Sequence, residues 1–328
     1  MSSHGKTVRT TLLGAVSALI ASALPGAAQT AWPDRTVTVV VPFAAGGISD
    51  VLARMMSERL QSRLKQNFVV ENALGAAGTI AATRVARADP DGYTLFWATV
   101  AQVTIAPFTH KISYDPIKDF VPISLVATSP FVITVGEAVP AKTLTEFIGY
   151  VKSRPRQVSY GSAGAGSLTH LAAALFAKTA GLQINHVPYK GIAPAFQDLV
   201  AGHIAMMSPS PVELKPFLEK GSLKALALTD TKRSKVLPDV PAITEFMKAE
   251  PVVTWNGLMA PAKTPAAVIE LLSREVRAAE QDPAFLERLA VIGVDPVLHT
   301  PQDFARLIAV ETERWRAIIH DLGLKVTQ

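Results

Sequence analysis

An α/β protein made of two similar strand–loop–helix units is the fold class that this 328-residue sequence predicts. Two glycine-rich loops lead to it: Val41-Pro42-Phe43-Ala44-Ala45-Gly46-Gly47-Ile48-Ser49-Asp50 and Tyr160-Gly161-Ser162-Ala163-Gly164-Ala165-Gly166-Ser167-Leu168-Thr169-His170. Each follows a run that reads as a buried strand and opens a stretch with helical spacing. A second glycine turn follows each loop at a similar distance, Gly46 to Gly75 and Gly164 to Gly191. Strands alternating with helices at this spacing argue for mostly parallel sheets joined by right-handed crossovers. About 300 residues exceed the usual size of one domain, so two domains are expected.

The chain opens with His4, Lys6 and Arg9 and no acid, followed by an apolar stretch from Thr11 to Leu24 and the small residues of Pro25-Gly26-Ala27-Ala28. That is the layout of a secretory signal peptide over 1–28. The apolar stretch is short of the roughly 20 residues that span a bilayer, which disfavours a membrane anchor. Cleavage after Ala28 predicts a mature chain starting Gln29-Thr30-Ala31-Trp32-Pro33, exported to the periplasm.

In the first unit a strand covers Val37 to Val41, and a helix runs from about Ser49 to Lys65. Ser49 or Asp50 is expected to cap it, with Leu52, Met55, Met56, Leu60 and Leu64 as its apolar stripe. Asn67 to Glu71 reads as a strand, Asn72 to Gly78 as a turn, the residues up to Ala88 as a helix, and Tyr93 to Ala98 as a strand. Phe120 to Val135 contains two strand-like runs broken near Thr128-Ser129-Pro130. The second unit repeats the order. It has a strand to Tyr160, a helix from Ser167 to Thr179 capped by Ser167, a strand at Gln183 to Pro188, a helix from Pro194 to Ala201 and a strand at Ile204 to Met207. An apolar run at Pro251 to Met259 leaves this unit and returns. Helices at Pro265 to Glu280, Pro283 to Ile292 and Pro301 to Leu322 close the chain.

Composition removes several function classes. There are no cysteines, so disulfides, thiolate metal sites, a cysteine nucleophile and a lipid-modified cysteine are excluded. The formal net charge is +5; loss of Lys6 and Arg9 with the leader leaves 30 basic against 27 acidic residues. Nucleic-acid binding would need clustered Lys and Arg on one face, which the sequence lacks. Gly46-Gly47 is not a dinucleotide fingerprint, and Gly161, Gly164 and Gly166 do not fit that spacing either. His186 and His203 lie singly, without a second ligand at metal-binding spacing. No cofactor or metal is expected.

The glycine loops are the candidate site. Glycine lets backbone approach a guest closely, and the first N–H groups of a helix point outward with about half a positive charge behind them. Ligands of open α/β sheets sit beyond the carboxyl ends of the strands, where both loops lie. If the units face each other, the loops hold an anion from two sides through backbone amides and hydroxyls, because neither contains Lys or Arg. Either loop alone reads better as a tight turn without a ligand; it is their pairing that points to binding. Asp50 reads as a helix cap more than as a counter-charge, His170 as a hydrogen-bonded packing residue, and Lys190 as a solvated turn residue. Ser167 and His170 at i, i+3 raise a hydrolase alternative, but no Gly-x-Ser-x-Gly elbow surrounds the serine and no acid is placed to orient the histidine.

Motifs along the whole chain then resemble one family. They are Trp32-Pro33, the Pro42-to-Asp50 loop, Glu71-Asn72 with Gly75 and Gly78, Asp89-Pro90-Asp91-Gly92-Tyr93-Thr94-Leu95, Tyr114-Asp115-Pro116 with Asp119-Phe120, and Tyr160-Gly161-Ser162. They continue with Val187-Pro188-Tyr189-Lys190-Gly191, Pro194-Ala195, Leu237-Pro238-Asp239-Val240-Pro241, and Trp255-Asn256-Gly257-Leu258 before Ala260-Pro261. In this order they resemble the periplasmic substrate-binding (Bug-type) receptors of tripartite tricarboxylate transporters. The resemblance implies a two-lobed "Venus flytrap", with lobe one at 33–127 plus 254–328 and lobe two at 128–253. It implies a non-enzymatic, monomeric receptor that captures a small organic carboxylate and hands it to membrane permease subunits. A ligand-dependent sensor for a membrane kinase would use the same cleft. Carried over, the lobe-one wall is Phe43, Ala44, Gly47, Ile48, Ser49 and Asp50, with Thr99 and Val100 beyond. The lobe-two wall is Ser162, Ala163, Gly166 and Ser167, with Ser208. Intact mass of the exported protein should correspond to a chain beginning at Gln29; a product retaining Met1 and fractionating with membranes would overturn the export reading.

Overall fold

A computed structural model describes residues 1–2 and 32–324. The expected leader beyond residue 2, and its cleavage site, lie outside the described residues. Among the described residues no helix is long and apolar enough to cross a membrane. From Pro33 onward the chain is one compact unit.

In chain order the elements are β1 (Val37–Val41), α1 (Ile48–Leu64), β2 (Phe68–Asn72), α2 (Thr79–Ala86) and β3 (Thr94–Thr99). A wide π-type turn at Ala101–Ile105 then runs into the short α3 (Ala106–Thr109). β4 (Phe120–Pro130) and β5 (Val132–Gly136) follow almost without a break. Next come α4 (Leu144–Lys152), β6 (Ser159–Ser162), α5 (Leu168–Thr179), β7 (Asn185–Pro188), α6 (Ile192–Ala201), β8 (Met206–Met207), α7 (Pro211–Glu219) and β9 (Leu223–Leu228). The chain ends with β10 (Val253–Pro261), α8 (Ala266–Glu280), α9 (Pro283–Val291), β11 (Asp295–Pro296) and α10 (Pro301–Asp321).

Two sheets result, in the orders β11-β4-β10-β3-β1-β2 and β7-β6-β8-β5-β9. Helices flank both, which gives the two-lobed α/β architecture. The βαβ spacing suggests mostly parallel sheets, but both are mixed. β1 is parallel to β2 and β3, and β6 is parallel to β7 and β8. β10 runs antiparallel to β3 and β4, and β5 antiparallel to β8 and β9. The reason is the route of the chain: strands that pass between the sheets enter each one without a crossover helix, so nothing constrains them to the parallel direction.

The break expected near Thr128-Ser129-Pro130 falls at Phe131 instead, since those three residues still pair with Trp255, Thr254 and Val253 in the first sheet. Phe131 alone separates β4 from β5. The return path runs from β9 to β10, and Thr229 ties the two crossings together. Its backbone N–H donates to the Phe131 carbonyl and its carbonyl accepts the Val252 N–H, both at 2.8 Å. Its hydroxyl accepts the Phe131 N–H at 2.9 Å and donates to the Val252 carbonyl at 2.6 Å. Thr229 is buried, so these bonds are shielded from water.

Each sheet builds a core, and that of the first extends to Leu171 and Ala172 of α5. Alternation in β3 sends Phe96 and Ala98 into a cluster with Ala81, Ala82 and Val85 of α2 and Phe304, Ile308 and Trp315 of α10. In the other sheet Ile133 and Val135 pack with Leu144, Phe147 and Val151 of α4 and Phe176 of α5. The stretch from Leu144 to Lys152, α7 and β9 carry no reading from sequence. Thr143 and Ser210 cap α4 and α7.

One buried group opposes stability. Glu280, at the end of α8, is 2% exposed and neither carboxyl oxygen has a hydrogen-bond partner among the described residues. Burial pushes its carboxyl up to about 9, against an attraction to Arg277 that is too weak to compensate. Below the ordinary carboxyl range both folded and unfolded chains hold this proton, so it has no effect. As pH rises from about 4.5 towards 9 only the unfolded chain releases it, and stability falls. Glu280→Gln should therefore stabilise the protein at pH 7 by about 2–3 kcal/mol, and by little at pH 4.5. Urea unfolding at both pH values checks this, and an equal effect at the two would refute it.

Candidate functional site

The lobe-one loop is organised around Asp50. α1 begins at Ile48 with Gly47 as its N-cap, so Ser49 and Asp50 do not cap it as expected; they sit inside its first turn. The Gly-Gly turn places the helix start earlier than the polar residues suggest. From there the Asp50 carboxylate accepts the Gly46 N–H, Arg54 Nε and Asn72 Nδ2, each at 2.9 Å. Asn72 Nδ2 also donates to the Phe43 carbonyl at 2.9 Å, and an Arg54 terminal nitrogen to Asn72 Oδ1 at 3.2 Å. Burial opposes ionisation of Asp50, but the bonds from Arg54, the Gly46 amide and Asn72 outweigh it and hold the carboxyl below its usual range. The charge is thus neutralised internally and does not repel an incoming anion.

Ser49 is buried and donates to Asn256 Oδ1 at 2.7 Å, an oxygen that also accepts Trp97 Nε1 at 3.1 Å. The first loop is thereby pinned to β10, the returning strand. Phe43 and Ile48 are half-buried and Ala44 and Gly47 exposed at the loop surface. Thr99 and Val100 follow β3. Thr99 donates its hydroxyl to Gln102 Oε1 at 2.8 Å, whereas the Val100 side chain is fully buried in the lobe-one core. Gln102 Nε2 reaches the Ala77 carbonyl at 2.9 Å, which links the β3 and β2 loops.

In lobe two, Ser167 caps α5 as expected, its hydroxyl accepting the His170 N–H at 3.3 Å. That hydroxyl donates to the Gly164 carbonyl at 2.7 Å, and Thr169 Oγ1 accepts the Ala163 N–H at 2.9 Å. Ser162 is fully buried, with Oγ 2.7 Å from His186 Nε2 and accepting the Gly164 N–H at 3.2 Å. Gly166 donates its N–H to His170 Nδ1 at 3.0 Å. His170 is thus the hydrogen-bonded packing residue expected. His186, read as solitary, is not: its ring lies face to face with that of His170, with centroids 3.8 Å apart. The parallel pairing of β6 with β7 sets Tyr160 opposite His186, a juxtaposition no spacing rule reveals. Ser208, beyond β8, is fully buried and its hydroxyl has no partner among the described residues, unlike the other candidate hydroxyls of the site.

These bonds revise how the loops can grip. The amides of Gly46, Gly47, Ala163, Gly164 and Gly166 are already spent on internal acceptors. The first helical bonds run from Val51 to Gly47 and from Leu171 to Ser167. That leaves the N–H groups of Ile48, Ser49 and Asp50 on α1, and Leu168 and Thr169 on α5, without an acceptor among the described residues. The anion-binding capacity lies at the two helix starts rather than in the glycines themselves. The lobes come close here: a Cβ on Gly166 would stand 3.7 Å from Thr109 Cβ, at the end of α3. No group of His, Asp or Glu suited to a metal is present among the described residues.

Comparison with known proteins bears directly on this geometry. Residues 52–324 match the profile of the tripartite tricarboxylate transporter family receptor. The chain belongs to this receptor family. BugT of Bordetella pertussis is 34% identical over 326 residues, covering 97% of this chain and 99% of that protein. Among solved structures, Rpa4515 of R. palustris with adipate has a TM-score of 0.83 at 34% identity, covering 90% of this chain and all of that one. MatC of Rhodopseudomonas palustris with bound malate has a TM-score of 0.76 at 36% identity, over 88% of this chain and 99% of that one. The receptor assignment made from the ordered motifs holds, as does the two-lobed fold.

Gly78 decides whether the three lobe-one loops can meet. Its φ is +87°, and a Cβ there would overlap the Gln102 side-chain amide and lie 2.7 Å from Pro42 Cβ. Gly78→Ala therefore strains the backbone and pushes the β2 loop off the other two, at a cost of about 2–4 kcal/mol. Urea denaturation should report a lowered midpoint with an unchanged slope; wild-type stability would contradict the close packing.

Proposed function

We propose that this chain is a periplasmic solute-binding receptor that captures a small organic carboxylate between its lobes and delivers it to membrane permease subunits, without catalysis. The observation that carries the reading is the pair of helix starts, α1 and α5, whose unspent N–H groups come from opposite lobes while the nearby Asp50 charge is neutralised. The adipate and malate bound by two relatives point to a dicarboxylate as the natural class. The lobe-one wall would be Phe43, Ala44, Gly47, Ile48, Ser49 and Asp50, with Thr99, and the lobe-two wall Ser162, Ala163, Gly166, Ser167 and Ser208. Phe43, Ile48 and Ala163 supply surface and helix-start backbone, while Ser49, Asp50, Ser162 and Ser167 set the loop shape from beneath. Val100 would act through packing alone.

The lobes, 33–127 with 254–328 and 128–253, would close about Phe131 and the Thr229–Val252 pairing. A ligand favours the closed form only through contacts made there and not in the open form. Amide bonds to an ionised carboxylate contribute roughly 1.5–3 kcal/mol each. Three or four account for a micromolar affinity, about 8 kcal/mol, after the cost of association. The hydrolase alternative loses its support, because the Ser167 hydroxyl bonds backbone rather than the His170 ring.

Calorimetry of the mature protein with adipate and malate should give micromolar binding, and X-ray scattering a smaller radius on saturation. Gly47→Asp and Ser167→Asp should abolish binding by placing a negative charge at either helix start while the protein stays folded. Ser167→Ala should retain measurable affinity. Equal binding of the neutral diamides would refute the carboxylate reading.

A further inference from the structure

Against the lobe-two loop stand two histidines that the capture of a carboxylate does not require. His170, on the first turn of α5, is 5% exposed and its ring stacks on His186 of β7, only 7° from parallel. Tyr160 of β6 completes the stack, its ring 4.9 Å from His186 and 6.2 Å from His170. A backbone N–H can only donate, so the Gly166 bond fixes His170 Nδ1 as an acceptor and places the ring proton on Nε2. The loop that lies across from Thr109 is therefore held by an unprotonated nitrogen.

We propose that His170 is a positioning residue for the lobe-two wall: its neutral Nδ1 aims the Gly164–Ser167 loop, and a proton on that nitrogen releases the loop and weakens carboxylate capture. The proposal rests on the receptor reading above and adds a proton-linked control to that site. Protonation puts two donors face to face at the Gly166 bond and builds a charge inside a buried aromatic stack. The titratable groups packed on the ring are Tyr160 and His186, and His110, bonded to Thr109 Oγ1, lies beyond Gly166 on the lobe-one side. No carboxylate or cation is among the hydrogen-bond or ion-pair partners of His170 among the described residues, so nothing there neutralises an imidazolium. Burial, reinforced by the neighbouring His186, pushes the His170 ring down to about 4, and burial alone lowers His186. The loop thus stays aimed through mildly acidic pH and lets go only in strong acid. An imidazolium would by itself attract an anion, so the sign of the pH effect tells displacement of the loop from simple electrostatics.

The decisive experiment is a pH titration of ¹⁵N-labelled protein followed by NMR, with and without saturating adipate. In the free protein His170 should show the Nε2–H tautomer, and the Gly166 amide shift should move with the same midpoint as the ring. Adipate should lower that midpoint, since a ligand that prefers the aimed loop must oppose the proton. The affinity of wild type for adipate relative to His170→Asn, which keeps an acceptor at the Nδ1 position but cannot titrate, takes its value at pH 7 as the reference. It should fall about two-fold at the ring's midpoint. Titration of adipate itself cancels in that ratio. An Nδ1–H tautomer, a Gly166 amide that ignores the ring, or a midpoint raised or unmoved by adipate would each overturn the proposal. If neither adipate nor malate binds at pH 7, the receptor reading fails on that account, while the tautomer and the Gly166 shift still decide the role of His170.

Discussion

One threonine ties together the two passages of chain between the lobes. Thr229 bonds to both strands that join the sheets, with its backbone and its hydroxyl, in a site closed to water. The two crossings therefore behave as one short ribbon. Bonds of this kind are costly to leave unmade when buried, so the proposed closure of the lobes would be a rotation about the ribbon rather than a separation at it. The position of each loop relative to the other follows from this: β10 carries Asn256, which holds Ser49, and leads directly from the clamp to the lobe-one wall.

A second principle governs the loops. Both glycine loops spend amides of their glycines on themselves, Gly46 on Asp50 in one lobe and Gly164 and Gly166 on Ser162 and His170 in the other. This internal bonding reduces the ordering that a ligand must impose, which is the usual obstacle to a tight grip by flexible backbone. In the proposed site the polar side chains would thus shape the wall more than they touch the guest. Substitutions there are expected to alter geometry before they alter chemistry.

Much of this was legible in the sequence, and the exceptions share a cause. Val37 to Val41, the helix capped by Ser167 and the three C-terminal helices follow from local periodicity and caps, and the ordered motifs identify the family. The mixed sheets were not legible, because strand direction depends on where the chain re-enters a sheet. Gln102 and Arg54 were missed since a lone polar residue on a helix carries no local signal of a long-range bond. The stacking of His186 on His170 needs the register of β6 and β7, which brings together residues sixteen apart along the chain. Asp50 illustrates the remaining error: its type suits a cap, but a glycine pair upstream moved the helix start and gave it a different task.

The two crossings are unequal in length. One is the single residue Phe131, and the other leaves β9 at Leu228 and rejoins at Val253 through a long excursion that forms the edge of lobe two. An insertion at Phe131 would shift the alternation of β5 and turn Ile133 and Val135 out of the core, whereas the excursion can lengthen at its exposed turns, away from Ala242, which bridges Leu228 of β9. Variation in chain length among descendants of this scaffold, and reporter domains grafted into it by engineers, should accordingly be borne by the returning path.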